Sequence, residues 1–146
     1  MSFIKTILNN ILTILFMLFI ASCSSDEGTV SCVPIGNVNR VINLNLPLYS
    51  NLNNPGAWIY VEGVNAGTRG LIVVNVGAGF KVYDRNAPHI CPTNKSTIYV
   101  QDDIKMVCEE DGAEWILTSG QPTKVANRSP RTYQVVTNGN QLIITN

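Results

Sequence analysis

The amino-acid sequence predicts a small all-β domain, an antiparallel sandwich or barrel, that follows an N-terminal signal segment. From residue 33 onward, short runs of β-type residues are separated by turn residues such as Gly, Pro and Asn. Several of these runs alternate apolar and polar residues, as half-buried strands do. Outside the signal segment, no window of useful length shows helical spacing of apolar residues. Together these observations predict many short strands and little helix.

The predicted strands follow one another along the chain with turns between them. The first, RVINLNLPLY, alternates, and Pro47 within it indicates an edge strand or a strand end. The run LIVVNV is almost continuously apolar, which is typical of a buried strand. EEDG and Asn138-Gly139 are predicted hairpin turns. The predicted strands span residues 40–49, 57–63, 71–76, 80–85, 105–108 and 113–118, a closing hairpin spans 131–146, and residues 86–98 are loop-like.

The start of the chain resembles a secretory signal. Lys5 precedes the uncharged apolar run ILTILFMLFI, and small residues follow it. The ending IASC resembles the bacterial lipoprotein signal, in which the cysteine, here Cys23, is lipidated and becomes the first residue. An ordinary signal peptide that ends near a cysteine is the alternative.

These features predict three segments and a location. We expect a signal peptide over residues 1–22, a lipidated Cys23 with a polar tether over 23–39, and the β domain over 40–146. The protein would then be lipid-anchored in the bacterial cell envelope, on the periplasmic side or at the cell surface. Its membrane contact would come from the lipid, because the sequence has no polybasic stretch.

Charge excludes one class of partner. Lys5 is one of ten Lys and Arg residues, and all ten Asp and Glu lie beyond residue 22, so nine basic and ten acidic residues remain once the signal is removed. A nucleic-acid surface needs a basic patch, and this balance predicts none. We expect no nucleic-acid partner.

Two stretches look like the halves of one site: APHICPTN at 87–94 and CEEDGAEW at 108–115. With VYDRNAPHI before them and SPRTYQVVTNGNQLIIT after them, residues 57–146 resemble the Rieske iron–sulfur domain. The chain is also similar to short lipoproteins of Bacteroidetes-type bacteria that carry such a domain. The resemblance implies two loops at one tip of the fold that hold a [2Fe–2S] cluster through a C-x-H and a C-x-x-H motif.

The ligand residues of that family are only half present. Ala87 stands at the first cysteine position, while His89 keeps the first histidine position. Cys108 keeps the second cysteine position, while Asp111 stands at the second histidine position. A shifted alignment that starts the first motif at Cys91 keeps both cysteines and loses both histidines. Because alanine offers no donor, the expectation is a domain without its cluster, and the alternative is a [2Fe–2S] or altered metal centre.

The cysteines leave more than one arrangement open. With Cys23 lipidated, Cys32, Cys91 and Cys108 give at most one pair and one free thiol. Some Rieske proteins carry a disulfide between the same two loops, so the resemblance implies a Cys91–Cys108 bond with Cys32 free. That bond would close about 18 residues and contribute roughly 3 kcal/mol. Cys32 could instead pair with Cys91, with Cys108 or with another chain.

Two further hypotheses concern the same loops. His89, Cys91, Cys108 and Asp111 have the residue types of a tetrahedral Zn²⁺ or Cu⁺ site, although His89 alone is more simply a solvated loop histidine. An acidic cluster is either a solvated hairpin, a docking patch for a cationic partner, or a weak Ca²⁺ or Mg²⁺ site. Its members are Glu109, Glu110, Asp111 and Glu114.

The sequence offers no adequate set of catalytic residues. It has a single histidine, so a Ser-His-Asp set cannot be argued, and a Cys91–His89 pair is the only nucleophile and base that it offers. We therefore predict a non-enzymatic, membrane-anchored Rieske-like domain that acts as a structural or protein-interaction module. The alternative is a Rieske-type electron carrier.

Overall fold

Ten strands form the fold in the computed structural model, which describes residues 28–146. The predicted signal peptide and the predicted lipidation at Cys23 lie outside the described residues. Within residues 28–146, the only helical element is a single 3₁₀ turn at Ser50–Asn53, and no helix there is long and apolar enough to span a bilayer. The strands are β1 (Asn39–Asn43), β2 (Trp58–Val61), β3 (Leu71–Asn75), β4 (Phe80–Asp84), β5 (Ile98–Gln101), β6 (Lys105–Cys108), β7 (Glu114–Ile116), β8 (Pro122–Lys124), β9 (Gln134–Asn138) and β10 (Gln141–Thr145).

The strands pair into three antiparallel sheets, as an all-β sandwich. The first sheet has the order β1-β10-β9, the second β2-β3-β4 and the third β5-β6-β7-β8. In the second and third sheets, each strand pairs with the strand next to it in sequence, so short connections suffice between them. The predicted all-β class is confirmed.

β3 is buried along its whole length because it contributes to two hydrophobic cores. Leu71 and Val73 lie in the core with β1 and β10, whereas Ile72 and Val74 lie in the core with β6 and β7. Alternate residues of a strand point to opposite faces, so burial on both faces requires the continuous apolar run that predicted this strand.

Several boundaries differ from the prediction. β1 ends at Asn43 because the chain turns there, with the Leu46 amide donating to the Asn43 carbonyl shortly before Pro47. β5 and β8 were not predicted; both are short and lie among turn residues, and pairing with β6 and β7 fixes them. The closing hairpin is confirmed at Asn138-Gly139.

The segment predicted as a tether up to residue 39 is packed on the domain from its first described residues. Val33 is buried, and the Val30 amide donates to the Pro88 carbonyl at 2.9 Å. Arg131 donates to the Thr29 hydroxyl and to the Pro34 carbonyl. These contacts hold residues 29–34, which belong to the polar tether predicted over 23–39, against the β domain.

Candidate functional site

The two predicted loops meet beside the third sheet. The first loop, residues 85–97, connects β4 to β5, and the second loop, residues 109–113, is the β6–β7 hairpin. Each of three successive carboxylates of the second loop contacts a side chain of the first loop. The contacts are His89 Nε2 to Asp111 Oδ2 at 2.5 Å, Thr93 Oγ1 to Glu110 Oε2 at 2.6 Å, and Lys95 Nζ to Glu109 Oε1 at 3.3 Å.

The His89–Asp111 contact is the most protected of the three. The side chains are 10% and 25% exposed, whereas both partners of the Lys95–Glu109 pair are more than half exposed. The His89 ring packs edge-on against Trp115, with ring centroids 5.6 Å apart, and Asp111 Oδ1 accepts the Ala113 amide at 3.1 Å. Because exposed ion pairs contribute little, this shielded pair should dominate the link between the loops.

The environment sets the pKa of the groups around this pair. Burial by itself would raise the pKa of Asp111, but the hydrogen bonds from His89 and from the Ala113 amide outweigh it and lower the pKa. Burial raises the pKa of the Cys108 thiol, and the nearby Asp111 carboxylate raises it further. Cys108 is therefore a neutral thiol at physiological pH in this environment.

The residues at the four cluster positions do not fit a [2Fe–2S] cluster. Ala87 and Cys108 are both buried in the same core as Trp115, so the two cysteine positions hold one methyl group and one buried thiol. His89 and Asp111, at the two histidine positions, bind each other directly. The cluster needs two thiolates on one iron and two further donors on the other, and this arrangement supplies neither set.

The predicted Cys91–Cys108 disulfide is wrong, because Cys91 is bonded to Cys32. The two Cα atoms of that pair are 5.4 Å apart, and both residues lie on the surface. Cys108 is a free thiol that points into the core from β6. Cys91 lies on the surface and Cys108 in the core. The N-terminal segment contacts the first loop, where the Val30 amide donates to the Pro88 carbonyl, and this brings Cys32 to Cys91.

The alternative metal sites also lose their donors. Cys91 cannot bind Zn²⁺ or Cu⁺ while its sulfur is in the disulfide, and the same bond removes it as a nucleophile beside His89. Within residues 28–146, no three His, Cys, Asp or Glu side chains are grouped so that they could hold a metal ion. His89 is not a solvated loop histidine either, since its side chain is nine-tenths buried.

The fourth member of the acidic cluster belongs to the sheet. Glu114 pairs with Lys105 at 3.3 Å and with Lys124 at 3.4 Å, and hydrogen bonding to Lys105, first of all, lowers its pKa. Each of the four clustered carboxylates thus has a partner within the chain. This pairing accounts for the cluster without a bound divalent ion.

Sequence reasoning missed Thr93 and Lys95, and it left the Cys32–Cys91 pairing open as an alternative. In the structure, residues 89, 93 and 95 meet residues 111, 110 and 109 in that order, so the two loops run in opposite directions. The complementary charges of Lys95 and Glu109 were the signal that the sequence offered for this pairing. The approach of Cys32, 59 residues from Cys91, left no local pattern.

Comparison of the chain with protein-family models, with curated proteins and with solved structures finds no match. The Rieske resemblance therefore stays a hypothesis that depends on the motifs at 82–90, 108–122 and 129–145.

Proposed function

We propose that this protein is a cell-envelope lipoprotein whose Rieske-like domain has exchanged its cluster for direct side-chain contacts and acts as a structural or protein-interaction module. The observation that carries the proposal is the 2.5 Å contact between His89 and Asp111. These are the two residues that would face one iron in the family's motif. Bound to each other, they join the loops that a cluster would otherwise join.

The surroundings of that contact support a structural role. Trp115 is fully buried and its indole nitrogen donates to the Arg128 carbonyl at 2.6 Å, so the His89 ring packs against a fixed surface. The Cys32–Cys91 disulfide holds the outer side of the first loop. Loops held at both sides present a preorganised surface, which lowers the entropic cost of binding a partner.

The histidine and the three cysteines of residues 28–146 are all engaged or buried. The thiol of Cys108 is buried with a raised pKa, and the sulfur of Cys91 is oxidised in its bond to Cys32. His89 is held by a carboxylate. These features favour a module that binds over one that catalyses or carries electrons.

Ligand restoration tests the proposal. The full chain is expressed with iron supplied and purified without oxygen, beside an Ala87→Cys/Asp111→His variant that restores the family's four ligand types. We expect no iron or acid-labile sulfide in the wild type, and about two of each per chain in the variant, as a [2Fe–2S] cluster contains. Mass spectrometry of the N-terminus, for a lipid on Cys23, tests the anchor separately.

The outcomes separate the parts of the proposal. About two irons per wild-type chain would refute cluster loss and support the electron carrier. A folded variant that takes up no iron would refute the Rieske-type geometry of the loops. An Ala87→Ser/Asp111→Asn variant, which alters the same positions without adding iron ligands of the family's type, controls for nonspecific uptake.

A further inference from the structure

A cavity of about 570 Å³ lies where β4 passes the segment that leads into β9. It is separate from the contacts between the first loop (85–97) and the second loop (109–113), which are called the joined loops below. None of the loop contacts described above belongs to its lining. The lining combines two cationic side chains with several hydroxyl groups. It is formed by Phe80, Lys81, Val82, Tyr83, Ser119, Ser129, Pro130, Arg131, Thr132 and Tyr133.

The cavity carries positive charge. Its lining includes Lys81 and Arg131 but no Asp or Glu. Asp84 balances Arg131 in part, at 3.6 Å, and also accepts the Tyr133 hydroxyl at 2.6 Å. Lys81 has no carboxylate partner among residues 28–146, and its ammonium donates to a backbone carbonyl, that of Ser119, at 3.1 Å. A lysine in this setting has donors left for an anion.

A buried donor in the lining lacks a partner. Tyr83 is fully buried, and within the described part of the chain its hydroxyl has no hydrogen-bond partner. A buried polar group left without a partner is costly, and native structures usually satisfy it through a ligand, an ion or water. The unsatisfied Tyr83 hydroxyl and the Lys81 ammonium lie on the same face of β4, because residues 81 and 83 are two apart on the strand.

The start of the described chain lies at this cavity. Arg131 of the lining donates from Nη2 to Thr29 Oγ1 at 2.8 Å and from Nη1 to the Pro34 carbonyl at 3.0 Å. Cys23 is five residues before Gly28, so the chain between them spans at most about 18 Å. A lipid on Cys23 would therefore hold this cavity close to the headgroups of its own membrane.

We propose that the cavity binds the phosphate of a lipid headgroup in the membrane that carries the anchor, with Lys81 as the principal cation. This inference rests on the proposed lipidation of Cys23. The ammonium of Lys81 and the unsatisfied hydroxyl of Tyr83 donate to the phosphate oxygens in charge-assisted hydrogen bonds. Binding fixes how the domain sits on the bilayer, which a lipid chain alone does not do.

Lysine footprinting of the full, processed chain tests the cavity. The protein is placed in phosphatidylglycerol nanodiscs, in dodecyl maltoside micelles, and in the same micelles with millimolar inorganic phosphate, and the acetylation rate of each lysine is followed by mass spectrometry. We expect acetylation of Lys81 to be several-fold slower in the nanodiscs than in micelles. Lys95, which is exposed at the joined loops, should react equally in all three.

A variant pair ties the protection to the cavity. In nanodiscs, amide hydrogen exchange over residues 129–133 should be slower than in micelles for the wild type and for Lys95→Gln, but not for Lys81→Gln. Both variants remove one positive charge, so a general electrostatic effect would change them equally.

Each result is decisive. Equal acetylation of Lys81 in nanodiscs and micelles, on a chain whose mass shows the lipid, refutes the cavity proposal alone. Protection by inorganic phosphate without protection in nanodiscs refutes the lipid as source and leaves a site for a soluble phosphate. A chain without lipid on Cys23 refutes the anchor itself.

Discussion

Removal of the Cys32–Cys91 disulfide should cost this domain a large part of its stability. The bond joins residues 59 apart in sequence. In the chain-entropy treatment, a closed loop of that length lowers the entropy of the unfolded chain enough to contribute about 4 kcal/mol at 25 °C. Domains of this size have total unfolding free energies of roughly 5–15 kcal/mol. A Cys32→Ser/Cys91→Ser variant should therefore unfold at a much lower urea concentration.

Urea titration followed by tryptophan fluorescence measures the loss, since Trp115 is fully buried in the folded domain. Adding reductant to the wild type should reproduce the curve of the double variant, and reductant should leave the double variant unchanged. Cys108→Ala identifies the pairing, because it must keep its sensitivity to reductant if Cys32 is the partner of Cys91.

Two results would refute this reasoning. If Cys108→Ala abolished the effect of reductant, Cys91 would be paired with Cys108. The second result is a double variant whose unfolding free energy falls by less than about 1 kcal/mol, well short of the loop-closure value. The N-terminal segment would then detach from the domain before the sheets unfold, and the disulfide would not restrict the unfolded state of the sheets.

Further predictions concern single side chains, and urea titration measures the free energy of unfolding in each. Asp111→Asn should lose about 1–3 kcal/mol at neutral pH, since it weakens a shielded hydrogen bond to a charged group, whereas Glu109→Gln, in the exposed pair, should lose under about 1 kcal/mol. Folding lowers the pKa of Asp111, so the stability that its ionised carboxylate contributes is present above the ordinary carboxyl pKa and is lost as pH falls through the lowered pKa. The unfolding free energies of the wild type and of Asp111→Asn should therefore become equal in acid. A difference between them that stays constant down to that pH would contradict the lowered pKa. Gly120→Ala should cost roughly 2–4 kcal/mol, because its φ is +76° and an added Cβ would lie 2.8 Å from the Tyr83 ring; Gly139→Ala, at φ +57° with nothing near its Cβ, should show only the conformational part, about 1–2 kcal/mol. Equal losses at the two glycines would refute the steric part.

The fold was predictable where the residues of one strand or turn determine that element by themselves. The LIVVNV run predicted a buried strand, and β3 is buried from Leu71 to Asn75 because two cores share it. Asn138-Gly139 predicted the last hairpin, since its turn type depends on local backbone preferences. β5 and β8 were not predicted. β8 has three residues among turn residues and is defined by its neighbour in the sheet, whereas the IYVQ run of β5 contains β-forming residues that the prediction did not assign to a strand.

The site was predictable in its location but not in its bonding. The motif spacing placed His89 and Asp111 on two loops, and those residues do meet. Which sulfurs pair depends on the path of the N-terminal segment, and that path is set by contacts such as Arg131 with Thr29 and Pro34. Such contacts join residues about a hundred positions apart, so no local pattern encodes them.

The packing of the N-terminal segment changes what a lipid anchor would do. A free tether from Cys23 to residue 39 could extend by up to about 58 Å, and the domain could then turn in any direction. With residues 28–34 held by contacts such as those of Arg131 and Cys91, the reach from Cys23 to Gly28 is at most about 18 Å. The segment leads from the cavity at Arg131 to the disulfide on the first loop, so it sets the position of both relative to the anchor. If Cys23 carries lipid, the two loops stay near the membrane, because they cannot move away from it by more than this reach and the size of the domain.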